Sequence, residues 1–363
     1  MLLPPNQSLR LSTVFAGLYA LKLEVIRASC GGRQVDSSRM PDGLWAAACS
    51  NADTNAAIVA FIAAVQALSD DDRYDLTCLT HYAPKVSDLM ADSTLPIPQP
   101  PAAILTPLKN LVVHLFDRTS KLKKIEKSCG ESLQDFFLRY SSPKPIGNGN
   151  VCSVCCTDVL AQYRHGIPAA EQWRAAFDHL LAEATYPLLS LDPVNLLPVC
   201  YHCNSKAKLA DDLLHDELGN RRISLNPWTE SAHGQVSIAV SVSGYSPSAN
   251  VEFAPLSIDQ SEKLGTWDAA YQIRSRVMGA FRSLPVTIST DLALNDLQAF
   301  RSSITQREQD FKSLARAHPY HYWRSLLYAG MAKLPDAELE KIRSVCHAGL
   351  QNNGLGFSQS FGV

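Results

Sequence analysis

Two CxxC pairs, Cys152-Ser153-Val154-Cys155 and Cys200-Tyr201-His202-Cys203, constrain the fold of this chain more than any other feature. Each pair can form a tight knuckle that points two thiolates at one ion, and four sulfurs complete a closed tetrahedral zinc site. One shared ion would clamp two distant segments together. Such a site has no open coordination position, so the expected Zn²⁺, held by Cys152, Cys155, Cys200 and Cys203, is structural and does not activate water. Cys156 leaves the register open, because Cys152 could pair with it, although the repeated CxxC spacing favours Cys155. Cys30, Cys49, Cys78, Cys129 and Cys346 have no partner at ligand spacing and read as ordinary core or surface residues.

The rest of the composition narrows the class. At 363 residues, 46% of them hydrophobic, the chain can bury two or three cores. No stretch reaches the roughly 18 apolar residues of a membrane helix, and the run from Thr13 to Ala28 is interrupted by Lys22, Glu24 and Arg27. No membrane partner and a cytoplasmic location are therefore expected. A scaffold of disulfides suits short secreted chains, whereas thiols in a reducing compartment, some of them on metal, suit this one. The net charge of −2 means that any nucleic-acid-binding surface must be local, or that a partner delivers the nucleic acid.

Periodicity divides the chain in three. Residues 1–145 read as a helical domain, with apolar spacing wider than strict alternation over Leu11–Ala28, Thr54–Leu68 and Ala103–Asp117. The proline-rich run from Pro96 to Pro101 is expected to be a stiff connection between helices. Tyr140–Asn150, rich in Ser, Pro, Gly and Asn, reads as a joint, and residues 146–230 as a cysteine-rich core. Residues 231–363 open with alternating apolar and polar residues over Gly234–Gly244 and Asn250–Leu256, a hairpin pattern. Helices are expected over Ser261–Met278, Asp291–Ala317, Pro319–Leu334 and Pro335–Leu350, with a frayed tail over Gln351–Val363. The expected class is mainly α with a small central zinc-stabilised core, α+β overall.

Within that core run Phe177-Asp178-His179-Leu180-Leu181, Tyr186-Pro187, Asn195-Leu196-Leu197-Pro198-Val199-Cys200 and Cys203-Asn204-Ser205-Lys206. This order resembles the HNH, or ββα-metal, endonucleases, in which an Asp-His pair, a central Asn and a final Asn or His follow one another inside such a cysteine frame. The likeness covers about Cys152 to Asn226. It implies two short strands and a helix starting near Cys203, with Asp178, His179 and Asn204 gathered around one metal ion. Asn195 is implied to brace the loop that presents His179. The step after the Asp-His pair departs from the family, with Ala182-Glu183-Ala184 where Pro-Lys-Ser is common.

Those residue types suit phosphodiester hydrolysis, which needs a base for the water, a cation for the developing charge and help for the leaving oxygen. His179, with an ordinary pKa of about 6.5, can accept a proton at neutral pH. Asp178 and the side-chain oxygen of Asn204 are hard ligands for Mg²⁺ or Mn²⁺. Lys206, Lys208, Arg221 and Arg222 are candidate phosphate contacts. His202 is expected at the outside of its knuckle. Arg118, Lys121, Lys123, Lys124 and Lys127 would share a helical face, either as a solvated surface or as a phosphate-tracking ridge.

The expected activity is therefore a metal-dependent endonuclease acting on nucleic acid, DNA foremost. The stretch Leu264–Arg276 resembles the extension after the HNH core in stand-alone bacterial proteins of antiphage systems of the Septu and retron-associated type. That likeness implies a defence role with an ATPase partner. The alternative is a zinc-knuckle binding or assembly module whose nuclease residues are vestigial.

Overall fold

The computed structural model describes residues 2–6, 8–209 and 211–351, so the expected tail beyond Gln351 lies outside the described residues. Among the described residues up to 141 there are eight α-helices. α1 (Thr13–Cys30) is central among them: Ser12 caps its start by accepting from the Phe15 amide, and Phe15, Leu18, Leu21, Val25 and Ile26 are buried. α2 (Leu44–Cys49) and α3 (Ala52–Gln66) follow, then α4 (Asp70–Tyr82) and α5 (Val86–Ala91). α6 (Ala102–Asp117) packs on α3, and the proline-rich run joins α5 to α6 as expected. α7 (Lys123–Cys129) and α8 (Leu133–Ser141) complete the set.

The three helices expected in this region are present within a few residues. α4 and α8 were not anticipated, although each carries a start signal. Ser69 caps α4 ahead of Asp70, Asp71 and Asp72, whose charges complement the positive end of a helix. Ser132 and Asp135 form a reciprocal capping box on α8. The basic stretch from Arg118 to Lys127 is not one helix. A short 3₁₀ turn over Thr119–Lys121 and an extended Leu122 separate Arg118 and Lys121 from the lysines of α7.

The middle of the chain is mostly irregular and is organised by one antiparallel pair. β1 (Ala176–His179) and β2 (Leu196–Val199) pair with Asp178 opposite Leu197 and His179 opposite Leu196. Cys200 follows β2 directly, and a wide π-helical turn spans Cys203–Lys208. β3 (Val236–Ser243) and β4 (Ser246–Phe253) then make the expected hairpin, turning at Gly244 with φ 62°. The register puts Val236, Ile238, Val240, Ala249 and Val251 in the core.

Six helices complete the described chain: α9 (Ile258–Tyr271), α10 (Ile273–Ala280), α11 (Leu284–Asp291), α12 (Leu297–Ser313), α13 (His321–Met331) and α14 (Asp336–Gln351). The single helix expected over Ser261–Met278 is broken at Gln272, whose φ of 53° places it in the left-handed region and turns the chain between α9 and α10. α13 lies across β3 at Gly330, where a Cβ would come 2.1 Å from the Ile238 carbonyl oxygen, so only glycine permits this approach. The whole is mainly helical with two small two-stranded sheets, an α+β architecture as expected. One contiguous buried core, from Leu2 to Cys346, runs through all three expected domains. Among the described residues no helix is long and apolar enough to cross a membrane.

Candidate functional site

Cys152, Cys155, Cys200 and Cys203 are all buried, and their four sulfurs lie within 4.8 Å of one another. Cys152 Sγ is 4.0 Å from Cys203 Sγ, and Cys155 Sγ is 3.8 Å from Cys200 Sγ. A tetrahedral ion with Zn–S bonds of about 2.3 Å would separate its sulfurs by about 3.8 Å. The cluster can therefore hold a zinc ion. Cys156 is excluded from it, which settles the register in favour of Cys155. With φ at 53°, the Cys156 backbone turns away while its amide donates to the Cys152 carbonyl at 2.8 Å.

Donors surround the sulfurs. The Cys200 amide donates to Cys152 Sγ at 3.4 Å, and the Thr157 amide and hydroxyl donate to Cys155 Sγ at 3.4 and 3.2 Å. Arg276 donates to Cys203 Sγ at 3.4 Å and to the Thr157 hydroxyl at 2.9 Å. Burial alone would raise the Cys155 thiol, but hydrogen bonds from the other three cysteines and the charge of Arg276 bring it well below the ordinary value. Burial and the hydrogen bonds with Cys155, Cys200 and Cys203 push Cys152 well up. Four clustered thiols cannot all ionise without a cation among them, which is the charge a divalent ion would supply.

β2 leads directly into the second pair of this frame, and β1 beside it carries Asp178 and His179. The chain leaving β1 is fixed by Asn195, a fully buried residue immediately before β2. Asn195 Oδ1 accepts from the Leu181 amide at 2.7 Å, and its Nδ2 donates to the carbonyls of Leu181 at 3.0 Å and Leu189 at 3.3 Å. Its backbone carbonyl accepts from Leu180 at 2.8 Å. A side-chain amide matches both backbone polar groups of one residue, so this loop has one position relative to the hairpin.

Asp178 is 5% exposed, and both its oxygens are engaged. Lys208 Nζ lies 3.3 Å from Oδ1, and the Tyr271 hydroxyl donates to Oδ2 at 3.2 Å. Burial raises the Asp178 carboxyl, while Lys208 and Tyr271 oppose that rise. Lys208 also donates to the His179 carbonyl at 2.8 Å. Lys208 was expected at phosphate. It is buried instead, because the wide turn over Cys203–Lys208 directs its ammonium inward to the Asp178 carboxylate.

His179 is closed off by α6. The Phe116 ring centroid stands 4.5 Å from the imidazole, and only 12% of the His179 side chain is exposed. Its Nε2 is 3.7 Å from Glu183 Oε2, and neither of these buried atoms has a hydrogen-bond partner. Burial, helped by the charge of Lys208, lowers His179 to about 4 against a hydrogen bond with the Ser190 backbone. The imidazole is thus neutral and able to accept a proton, but no solvent reaches its acceptor atom. Burial and the nearby Asp117 raise Glu183. Glu183 escaped the sequence reading as a contact of His179, although its position four residues on was a usable signal.

Asn204 stands half-buried on the wide turn, and its side chain makes no hydrogen bond among the described residues. The donor chemistry of Asp178 and Asn204 suits a hard ion, but the arrangement does not. Asp178 is occupied by an ammonium and a phenol, and no hydrogen-bond network links Asn204 to it or to His179. Of the other residues expected at phosphate, Lys206 is exposed, with its ammonium 5.8 Å from the Tyr201 ring. Arg221 donates to the carbonyls of Leu214 at 2.9 Å and Asp92 at 3.4 Å, and Arg222 donates to the Asp212 carbonyl. Both arginines thus brace loops. His202 lies outside the knuckle as expected, exposed and 2.7 Å from Asp158.

Two further polar residues near the centre were not anticipated. The Tyr186 hydroxyl donates to Asp212, which also holds His215 Nδ1 at 2.8 Å. Lys22, fully buried on α1, donates to the Leu188 carbonyl and so docks the N-terminal helices onto the loop that Asn195 braces. No family model matches this chain, and no curated protein and no solved structure is found to be similar to it.

Proposed function

We propose that this chain is an endonuclease of the HNH type, hydrolysing phosphodiester bonds in nucleic acid, and that the arrangement described is its closed state. The observation that carries the reading is the Asn195 clamp on Leu181, two residues after His179. A central asparagine that fixes the loop behind an Asp-His pair, on a hairpin footed by a four-thiolate cluster, is the division of labour the resemblance implies. A zinc ion in that cluster would be structural, since all four positions are filled by sulfur.

In this reading His179 is the general base. Its neutral state at physiological pH is the one a base requires. Work on a phosphodiester requires Phe116 and Glu183 to uncover Nε2, and requires Lys208 to leave Asp178. Asp178 and Asn204 then become the groups to which Mg²⁺ or Mn²⁺ would bind. DNA as the substrate, an ATPase partner that opens the centre, a role in antiviral defence and a cytoplasmic location belong to the same proposal. The closed arrangement and the net charge of −2 both support delivery of the nucleic acid by a partner.

A second reading, a zinc-stapled assembly module without catalysis, is favoured by one observation, the occupation of Asp178 by Lys208. Plasmid nicking separates the two. Supercoiled DNA, and RNA in parallel, is incubated with the full chain and with Phe116→Ala, each with and without Mg²⁺ or Mn²⁺. Cleavage that needs the divalent ion, rises in Phe116→Ala and vanishes when His179→Ala is added supports the nuclease. Equal cleavage with His179→Ala, or no cleavage of either substrate by Phe116→Ala with any divalent ion, leaves the assembly module as the better reading.

A further inference from the structure

A cavity of about 890 Å³, lined by neither Asp178 nor His179, opens where four segments of the chain meet. Its walls come from the first residues, from the joint after α8, from the turn before β3 and from the end of α12 with the start of α13. Its volume falls within the roughly 300–1,000 Å³ of small-molecule sites. Leu3, Val236, Leu326 and Ala329 supply apolar surface, and Tyr322 contributes an aromatic ring with His233 6.0 Å from it.

The polar lining is one-sided in charge. Lys144, Lys312, Arg316 and His233 all border the cavity, against a single acid, Glu308. Arg316 is a fixed cation: its guanidinium donates to the Asn148 carbonyl at 3.0 Å and to the Pro4 carbonyl, which are neutral partners. Among the described residues, none of Lys144, Lys312 and Arg316 forms an ion pair with a carboxylate, and both lysines are exposed at the cavity. The cations feel one another. After burial, Arg316 is the next cause that lowers Lys144, and Lys312, Arg316 and Lys144 in turn lower His233. A concave site that gathers unpaired positive charge over an apolar, ring-bearing floor is complementary to an anion with a flat apolar body.

The approach of the walls is itself built. Gly149, with φ at 86°, passes so close to the end of α12 that a Cβ would stand 2.6 Å from the Arg316 carbonyl oxygen. The joint is thereby held against the turn that follows α12, which carries Arg316 just beyond Lys312 on the last turn of the helix.

We propose that this cavity binds a small organic phosphate bearing a flat ring, of the size of a nucleoside monophosphate. Lys144 and Lys312 close on the phosphate above the fixed charge of Arg316, and the ring lies against Tyr322 and the apolar wall. The inference does not depend on nuclease activity and is tested without it.

Calorimetric titration of the full chain with AMP, GMP, CMP and UMP, and separately with adenosine and inorganic phosphate, is the direct experiment. At least one nucleotide is expected to bind more tightly than either adenosine or phosphate, with affinity falling as salt rises. In Lys144→Glu/Lys312→Glu that affinity should drop by at least about tenfold, the loss expected for two charge-assisted contacts. Unchanged thermal stability would show the double variant to be folded, and Lys312→Ala alone should give a smaller loss in the same direction. No binding by any of the four nucleotides, equal binding of inorganic phosphate and nucleotide, or an affinity unmoved by the double substitution would each overturn the proposal.

Discussion

The Lys208 ammonium lies 3.3 Å from the Asp178 carboxylate, and both side chains are shut away from solvent. A buried pair of this kind is expensive to break from one side, because the remaining charge keeps its desolvation cost without its partner. Lys208→Met should therefore lower the unfolding free energy by about 3 kcal/mol or more. Asp178→Asn/Lys208→Met should recover most of that loss. Urea denaturation of the wild type, both single variants and the double variant measures the coupling, and additive losses would show that the two groups do not interact.

The division between Cys155 and Cys156 gives a sharper test of the thiolate cluster than loss of any one ligand. Cys156→Ser should retain one zinc per chain by elemental analysis, whereas Cys155→Ser and Cys200→Ser should lose it together with a large part of their thermal stability. Zinc retained by Cys155→Ser and lost from Cys156→Ser would reverse the register.

Asn195 satisfies the backbone N–H and carbonyl of Leu181 from a position with no access to water. Asn195→Ala should cost about 2 to 4 kcal/mol, the range for leaving two buried groups unpaired. Hydrogen exchange at the Leu181 amide should accelerate far more than exchange in β3 and β4. Uniform acceleration over the chain would mean that the residue serves general stability and does not fix this loop in particular.

Lys22 links stability to pH. Burial lowers its pKa from the ordinary 10.5 to about 7, against the opposing charge of Asp192. Between about pH 7 and 10.5 the unfolded chain then binds more protons at this position than the folded one, so its contribution to stability rises with pH across that window and is lost as pH falls toward 7. Denaturation midpoints at pH 7 and pH 9 should show a gain for the wild type that is reduced in Lys22→Met. An equal pH dependence in both proteins would contradict the assignment.

The sequence was legible where local chemistry dominates. The CxxC frame located all four clustered sulfurs, because ligand spacing is a property of the knuckle itself. Alternation placed β3 and β4, and wide apolar spacing placed α1, α3 and α6. Periodicity did not reveal the break at Gln272, where a single left-handed residue turns one expected helix into two. Lys208 and Phe116 were illegible for a different reason. Nothing in the residues near Lys208 reports that Tyr271 and Asp178 will meet it, and nothing near Phe116 reports that its ring will rest on His179. Such long-range contacts are decided by how α6 and α9 dock, which a linear pattern does not encode.

Three consecutive carbonyls of the first knuckle are capped from outside the middle of the chain. The Leu2 amide donates to Ser153 at 2.9 Å, the Trp267 indole to Val154 at 3.1 Å and the Trp323 indole to Cys155 at 2.7 Å. During synthesis the four cysteines emerge before Trp267 and Trp323, so these carbonyls of the nascent knuckle lack their protein donors until the chain has been made through Trp323. An excised fragment covering residues 146–230 would carry all four sulfurs yet remain permanently in that unfinished condition. Metal uptake by such a fragment should be weaker than by the full chain, since Leu2, Trp267 and Trp323 hold the knuckle in the shape that receives the ion.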